Sequence, residues 1–177
     1  MNKETASGEV FITLVNEKDE IIGYEEKLKV HEQGLLHRAF SVLIFNTEGK
    51  LLIHQRASHK YHSPGLWTNT CCGHPNEGEG ILAAAERRLM EEMGFTTSLT
   101  YDFTFQYRAE FQNGLIENEI DHVFIGTYDA DFKVNPEEVA DFKWVELDGL
   151  HQEVEKNPEL FTVWFKEILS LKKENIL

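Results

Sequence analysis

Residues 67–95 read WTNTCCGHPNEGEGILAAAERRLMEEMGF, a glycine-rich loop that runs directly into an acidic helix. The loop carries two adjacent thiols and His74. Apolar residues form one stripe at helical spacing, at Leu82, Ala85, Leu89 and Met93. Gly94 then ends the helix. An isolated acidic helix is most often a solvated surface element, but this segment also supplies a nucleophile or base and a metal ligand.

The spacing of residues within this segment favours a functional interpretation. It matches the Nudix box, G-x5-E-x7-R-E-U-x-E-E-x-G-U, in which U is a bulky aliphatic or aromatic residue. The matching positions are Gly73, Glu79, Arg87, Leu89, Glu91, Glu92, Gly94 and Phe95. One position departs from the box, because Arg88 stands where its first helical glutamate belongs.

The departure at Arg88 has a chemical consequence. In a Nudix box, helix carboxylates hold divalent cations against a diphosphate, since hard oxygen ligands suit Mg²⁺. Arg88 removes one such ligand and adds a guanidinium one turn before Glu92, on the same helical face. A guanidinium matches phosphate oxygens bidentately but does not activate water. The segment therefore predicts diphosphate binding without the usual hydrolysis.

The composition of the chain excludes some classes of function. Its 177 residues fit a single domain, which we expect to span residues 1–177 with residues 1–9 as a flexible N-terminal extension. The formal net charge of -14 argues against nucleic acid as a partner, because binding to a phosphate backbone depends on clusters of Lys and Arg.

The cysteine content indicates a cellular compartment. Cys71 and Cys72 are neighbours, and adjacent residues adopt ordinary disulfide geometry with difficulty, so we expect free thiols in a reducing environment. The sequence shows neither the apolar core of a signal peptide nor a segment of transmembrane length. We therefore expect a cytoplasmic monomer without a membrane partner.

Short strands surround the central segment. Apolar runs separated by turn signals predict strands over residues 10–15, 21–26, 38–45, 50–55, 96–101, 103–111, 116–128 and 142–145. Residues 66–72 lead into the central segment. Helices are predicted over residues 147–156 and 159–173, the second opening at Asn157 and Pro158.

Two glutamates in the strand predicted over residues 116–128 are candidate metal ligands. Glu117 and Glu119 are two residues apart, so an extended backbone points both to the same face. Paired like charges on one face are costly without a cation. The alternative is a solvated face, but Ile116 and Ile120 indicate that the strand is substantially buried, which favours the metal interpretation.

Other candidates are weaker when taken singly. A lone histidine such as His31 or His37 is more often a core or surface residue than a ligand. The small basic group that contains Arg56 and Lys60, among three further histidines, is most often simply solvated. Trp164 lies in the apolar stripe of the last predicted helix and is by default a core aromatic residue.

Taken together, these motifs resemble one family. LLHRAFS, WTNTCCGHP, the altered Nudix box, YRAEF and ENE resemble the motifs of the type 1 isopentenyl diphosphate isomerases, and they follow that family's order from about residue 24 to the C-terminus. The resemblance implies a metal centre that holds Mn²⁺ or Zn²⁺. The implied ligands are His31, His37, His74, Glu117 and Glu119. It also implies a Mg²⁺ ion between Glu92 and the diphosphate of a small isoprenoid substrate.

The resemblance also implies roles in the reaction. Glu119 and Cys72 would transfer protons on opposite faces of the isoprenoid, with Glu119 as acid and Cys72 as base. Tyr107 would orient the glutamate through a hydrogen bond, and Trp164 would shield a carbocation. The implied contacts to the diphosphate are Lys27, Arg56, Lys60 and Arg88. In an extended segment only one of two adjacent thiols faces the pocket, so Cys71 is expected to be a packing residue.

Two alternatives explain less of the sequence. A Nudix hydrolase of a diphosphate-containing metabolite would account for the fold and for part of the helix. A non-catalytic metal-binding module would account for the ligands but leave Cys72 and Tyr107 without a role. The expected fold is the Nudix α/β/α sandwich, with a mixed central sheet and the loop and helix of residues 73–94 on one side.

Overall fold

The computed structural model describes residues 10–175, with side chains described through residue 174. The extension predicted for residues 1–9 lies outside the described residues. The strands are Phe11–Val15 (β1), Ile21–Glu26 (β2), His37–Phe45 (β3), Leu51–Arg56 (β4), Trp67–Thr68 (β5), Cys71–Gly73 (β6), Thr100–Glu110 (β7), Ile116–Thr127 (β8) and Val139–Val145 (β9). The helices are Lys27–Gln33 (α1), Ile81–Met93 (α2), Leu147–Lys156 (α3) and Val163–Asn175 (α4).

Strand β3 is the centre of a mixed sheet. It pairs with β8 in parallel over its whole length, from His37 opposite Glu119 to Phe45 opposite Thr127. At successive points it also pairs with β1, β6 and β4 in the antiparallel sense. Seven of its nine residues are buried, as expected for a strand covered on both faces. The predicted mixed sheet is therefore confirmed.

Helices cover both faces of this sheet. Phe40, Val42 and Ile44 of β3 pack in one apolar cluster with Ala85 and Leu89 of α2. The opposite face forms a second cluster, in which Leu43, Leu51 and Ile53 pack with Leu150 of α3 and with Phe165 and Ile168 of α4. Alternation of side chains along β3 produces this division. The α/β/α sandwich is confirmed, with α2 on one side as predicted.

Helix α1 was not predicted from the sequence. The Glu26 carboxylate caps it by accepting from the backbone N–H of Leu28 and Lys29, at 3.0 and 3.2 Å. Gly34 ends it with a φ of 65°, in the left-handed region that favours glycine. Seven residues without an evident apolar stripe give little helical signal. The helix nevertheless places Lys27 and His31 one turn apart on one face.

The helix predicted over residues 159–173 begins later than expected. Pro158–Leu160 forms a 3₁₀ turn, and Phe161 is extended and bridged to Trp67 of β5. The Thr162 N–H donates to the Trp67 carbonyl at 3.0 Å. This pairing with β5 replaces the first helical turn, so α4 begins at Val163.

Several strand boundaries also differ from the sequence prediction, and β9 begins at Val139 rather than at the predicted residue 142. The predicted strands over residues 96–101 and 103–111 form the single strand β7, which starts at Thr100 and has an irregularity between Tyr101 and Phe103. The segment that leads into the central loop forms the two short strands β5 and β6. Between them, Asn69 donates to the Val42 and Cys71 carbonyls. No helix among residues 10–175 is long and apolar enough to cross a membrane.

Candidate metal and catalytic site

A cavity of about 130 Å³ opens between β3, β6, β8, α2 and the start of α4. Its lining contains most of the residues that the sequence predicted for the site, namely Lys27, Arg56, Lys60, Cys72, His74, Arg88, Glu92, Tyr107, Glu117, Glu119 and Trp164. The remaining two, His31 and His37, are fully buried and contact the two glutamates. The fold therefore brings all of these residues together.

Three histidines and two glutamates form a compact group at one end of the cavity. One ligand atom from each of His31, His37, His74, Glu117 and Glu119 lies within 4.8 Å of every other. Glu119 Oε1 is 3.3 Å from His37 Nε2 and 3.0 Å from His74 Nε2. Glu117 Oε1 is 3.2 Å from His31 Nε2. These are the predicted ligands, and they converge.

The orientation of two imidazoles suits metal binding. His31 Nδ1 lies 2.7 Å from the Lys27 carbonyl, and His37 Nδ1 lies 2.9 Å from the Leu35 carbonyl. Each Nδ1–H donates to its carbonyl, so Nε2 faces the glutamates and its lone pair is available to a metal ion when the imidazole is neutral. His31 Nε2 and Glu117 Oε2 are buried and make no well-formed hydrogen bond among the described residues. The donor set fits a divalent cation of the Mn²⁺ or Zn²⁺ type.

The pKa shifts in this group show that its two buried carboxylates favour a nearby positive charge. Burial acts to lower the pKa of His37, but hydrogen bonds to Glu117 and Glu119 outweigh it and raise this pKa to about 10. Burial and the neighbouring Glu117 raise the pKa of Glu119 well above its usual range. Both shifts reflect the cost of bringing two carboxylates together in a buried site, a cost that a divalent cation would lower.

Basic residues also line the cavity. Arg88 Nη2 lies 2.5 Å from Glu92 Oε1 and 3.3 Å from Glu138 Oε1, and Lys60 also pairs with Glu138. Burial and the neighbouring cations Lys60 and Arg88 lower the pKa of Lys27. Three cations are therefore close enough to repel one another, as expected where an anionic ligand binds.

The two thiols of β6 point in opposite directions. Cys71 is fully buried in the apolar cluster beneath α2, whereas Cys72 lines the cavity. Both are free thiols. Burial raises the pKa of Cys72 to about 12, and Arg56 acts against this increase. The alternation expected for an extended segment therefore places Cys72 in the cavity and Cys71 in the core.

Tyr107 and Trp164 form part of the cavity wall. Tyr107 lies directly opposite Glu119 in the register of β7 and β8, so the two side chains share one face. No hydrogen bond joins them in the described structure, so the orienting role predicted for Tyr107 is supported only by this proximity. Trp164 Nε1 donates to Asn69 Oδ1 at 3.1 Å, which fixes the indole. The Arg56 guanidinium carbon lies 5.3 Å from the centre of the indole ring.

Sequence reasoning missed three residues of the site. Asp121 is buried in the cavity wall, accepts from Ser41 Oγ at 2.7 Å, and has its pKa raised to about 7 by burial. It continues the alternation of Glu117 and Glu119 on β8, and this signal was available in the sequence. Glu138 and His62 come from loops, and no pattern in the sequence marks them.

Comparisons with known proteins agree with this geometry. The sequence model of the NUDIX domain matches residues 35–165. The chain is 51% identical over 158 residues to the isopentenyl-diphosphate Delta-isomerase of Serratia proteamaculans, covering 89% of this chain and 88% of that protein. It is 50% identical over 159 residues to isopentenyl-diphosphate Delta-isomerase 2 of Photorhabdus laumondii, covering 90% of each.

Solved structures share the fold at lower sequence identity. DR0079 of Deinococcus radiodurans superposes with a TM-score of 0.75 at 22% identity, covering 90% of this chain and 97% of that chain. The MutT protein of Methanosarcina mazei superposes with a TM-score of 0.64 at 23% identity, covering 80% and 96%. At these identities the likeness establishes the fold alone.

Proposed function

The chain belongs to the isopentenyl-diphosphate Delta-isomerase family within the Nudix superfamily, and on that premise we propose that it interconverts isopentenyl and dimethylallyl diphosphate with the help of divalent metal ions. The observation that supports this most strongly is the single cavity that Cys72 and Glu119 share, next to the convergent ligand atoms of three histidines and two glutamates.

Two kinds of cation are proposed. His31, His37, His74, Glu117 and Glu119 would hold Mn²⁺ or Zn²⁺, because mixed imidazole and carboxylate ligands suit these ions. Glu92 would hold a Mg²⁺ ion that bridges to the substrate diphosphate, and its Oε2 atom is buried without a hydrogen bond among the described residues. When bound, these cations neutralise the buried carboxylates and the phosphate charge.

The reaction requires an acid and a base on opposite faces of the substrate. An unactivated alkene is a poor base, so a positioned acid must deliver the proton to the terminal methylene carbon. We assign this role to Glu119. We assign the base to Cys72, which would act as a thiolate and remove a proton from the carbon next to the diphosphate-bearing one. Burial raises the pKa of this thiol, and Arg56 together with the bound cations would act against that increase. One proton is gained and one is lost, so the double bond moves without any change in composition.

The cavity wall is suited to the intermediate of such a reaction. Proton addition generates a tertiary carbocation, which must be kept from water. Trp164 would stabilise it through the face of its ring, an interaction worth about 2 kcal/mol when desolvated. The ring already attracts a cation, since the Arg56 guanidinium lies 5.3 Å from its centre. Tyr107 lies beside Glu119 and would orient the acid.

The diphosphate would bind at the basic residues that line the cavity. The proposed contacts are Lys27, Arg56, Lys60 and Arg88. Arg88 also weakens the case for a Nudix hydrolase, because its guanidinium replaces a metal-binding carboxylate and pairs with Glu92. A non-catalytic metal module would leave Cys72 and Tyr107 in the cavity without a function.

The product of the reaction tests the proposal. Metal-loaded protein is incubated with isopentenyl diphosphate, and the organic diphosphates and inorganic phosphate are both measured. We expect dimethylallyl diphosphate without released phosphate, and no conversion after treatment with a chelator. Release of phosphate without dimethylallyl diphosphate would instead support a hydrolase.

We also propose a reducing, cytoplasmic location and a monomeric, single-domain protein. Cys71 and Cys72 support the reducing location, because both are free and neither has a partner for an ordinary disulfide among the described residues. Light scattering of the purified protein tests the monomer directly. A mass of twice 20.5 kDa would contradict it.

A further inference from the structure

We propose that His62 is a positioning residue, which donates a hydrogen bond from Nε2 to Glu117 and thereby holds that carboxylate in place for the metal ion. Its Nε2 lies 3.0 Å from Glu117 Oε1. The inference rests on the proposed function only in taking Glu117 as a metal ligand. Metal affinity therefore tests it without any measurement of turnover.

The two carboxylate oxygens of Glu117 have different neighbours. Oε1 lies between His62 Nε2 and His31 Nε2, at 3.0 and 3.2 Å. Oε2 lies 3.4 Å from His37 Nε2 and is buried without a well-formed hydrogen bond among the described residues. A donor on Oε1 that is not itself a ligand fixes the rotation of the carboxylate. Oε2, beside His37 Nε2, then remains available to a metal ion.

His62 stands outside that ligand group. The atoms that converge within 4.8 Å come from His31, His37, His74, Glu117 and Glu119. His62 makes a polar contact with Glu117, and its ring centroid lies 6.4 Å from that of His31. This is the relationship of an outer residue to a metal ligand. Such partners orient the ligand, and their loss typically lowers metal affinity or activity by about 10–100-fold.

The imidazole is held in this position by aromatic packing. Its ring stacks on Phe111, with centroids 4.8 Å apart and an interplanar angle of 9°. Trp164 and Tyr61 meet it edge to face, at 5.7 and 4.7 Å. Only 7% of the residue is exposed. A ring confined on three sides cannot readily turn away from Glu117.

Hydrogen bonds also hold the backbone around His62. Arg56 Nη2 donates to the His62 carbonyl at 3.2 Å. The neighbouring Tyr61 carbonyl accepts from Asn113 Nδ2, in the turn between β7 and β8, at 2.6 Å. These bonds connect the loop to the end of β4 and to the hairpin that carries Glu117. The position of the imidazole is therefore set before any ligand binds.

Two substitutions separate the hydrogen bond from the packing. His62→Phe keeps an aromatic ring against Phe111 and Trp164 but removes the donor. His62→Gln restores a donor, since its side-chain amide nitrogen can occupy nearly the same place as Nε2. His59 lies in the same loop, is exposed, and provides the matched controls His59→Phe and His59→Gln.

Competition with a chelator measures the affinity of the metal-free protein for Mn²⁺ and for Zn²⁺. Circular dichroism checks that each variant is folded. We expect His62→Phe to bind about 10–100-fold more weakly than the wild type and His62→Gln to recover most of that loss. The His59 variants should match the wild type. In the isomerase assay, His62→Phe should lower kcat at saturating metal with little change in KM for the diphosphate.

Several results would overturn the inference. Wild-type affinity in His62→Phe would show that the hydrogen bond has no effect on the site. Equal losses in His62→Phe and His62→Gln would show that a hydrogen-bond donor at this position does not support the site. Failure of both variants to fold would show that the imidazole serves the structure of the loop instead. If the metal affinities behave as expected but no dimethylallyl diphosphate forms, the positioning role stands and the proposed function fails.

Discussion

Arg88 Nη2 lies 2.5 Å from Glu92 Oε1, one turn apart on α2. The same guanidinium reaches Glu91 Oε2 at 2.7 Å and Glu138 Oε1 at 3.3 Å. Three carboxylates therefore share the positive charge of Arg88, which stands where the Nudix box has a glutamate. Because these contacts hold the guanidinium at the cavity, a diphosphate can take over part of them without a large rearrangement.

We expect Arg88→Lys to raise KM for isopentenyl diphosphate by about tenfold, since lysine keeps the charge but not the bidentate geometry. Steady-state kinetics at saturating metal measure this change. Arg108→Lys is the control, because Arg108 is exposed and pairs only with Glu110 among the described residues. An unchanged KM in Arg88→Lys would remove Arg88 from the proposed diphosphate site.

Cys72→Ala should lower kcat by about 10²–10⁴-fold or more, because it removes a group that is proposed to accept a proton. Cys71→Ala is the matched control and should keep kcat within about threefold of the wild type. We expect Cys71→Ala to lower the free energy of unfolding by about 1 kcal/mol, because the substitution lies in a packed core. Denaturant unfolding measures this change. Equal loss of turnover in both variants would argue against Cys72 as the functional thiol.

Glu119→Gln should reduce both metal affinity and turnover, since one carboxylate is proposed to serve as ligand and as acid. Chelator competition measures the first effect, and single-turnover kinetics at saturating metal measure the second. The exposed Glu110→Gln serves as the control. Full activity of Glu119→Gln would place the acid elsewhere in the cavity.

Removal of the metal should abolish turnover and lower the melting temperature. The buried carboxylates of Glu117 and Glu119 lose a compensating cation, and a ligand that binds only the folded protein stabilises it by mass action. Dialysis against a chelator followed by addition of Mn²⁺, Zn²⁺ or Mg²⁺ tests each ion by calorimetry and by product formation. His37→Gln should show a smaller increase in melting temperature on addition of Mn²⁺ or Zn²⁺ than the wild type.

The sequence predicted those parts of the site that lie on regular elements with local spacing. The Nudix box predicted the helix α2, which carries Arg88 and Glu92. The interval of two residues predicted that Glu117 and Glu119 lie on one face of β8. Alternation within a short strand separated Cys71 from Cys72. Each of these inferences needs only the repeat of one helix or one strand.

The parts that were missed depend on contacts between distant residues. Helix α1 relies on a glutamate cap and on a turn at Gly34, and α4 starts late because Phe161 and Thr162 pair with β5. His62 approaches Glu117 only after the loop behind β4 has folded over the hairpin of β7 and β8. Local propensity carries no information about such distant contacts.

The most direct test of the account is the reaction in deuterium oxide, followed by NMR of isopentenyl diphosphate with metal-loaded protein. If protons are added and removed within this cavity, deuterium should appear in a methyl group of dimethylallyl diphosphate while both phosphorus signals stay those of an intact diphosphate. Cys72→Ala and Glu119→Gln should give little or no labelled product. Cleavage of the diphosphate by the wild-type protein, with no deuterium on the isoprenoid carbons, would contradict the account.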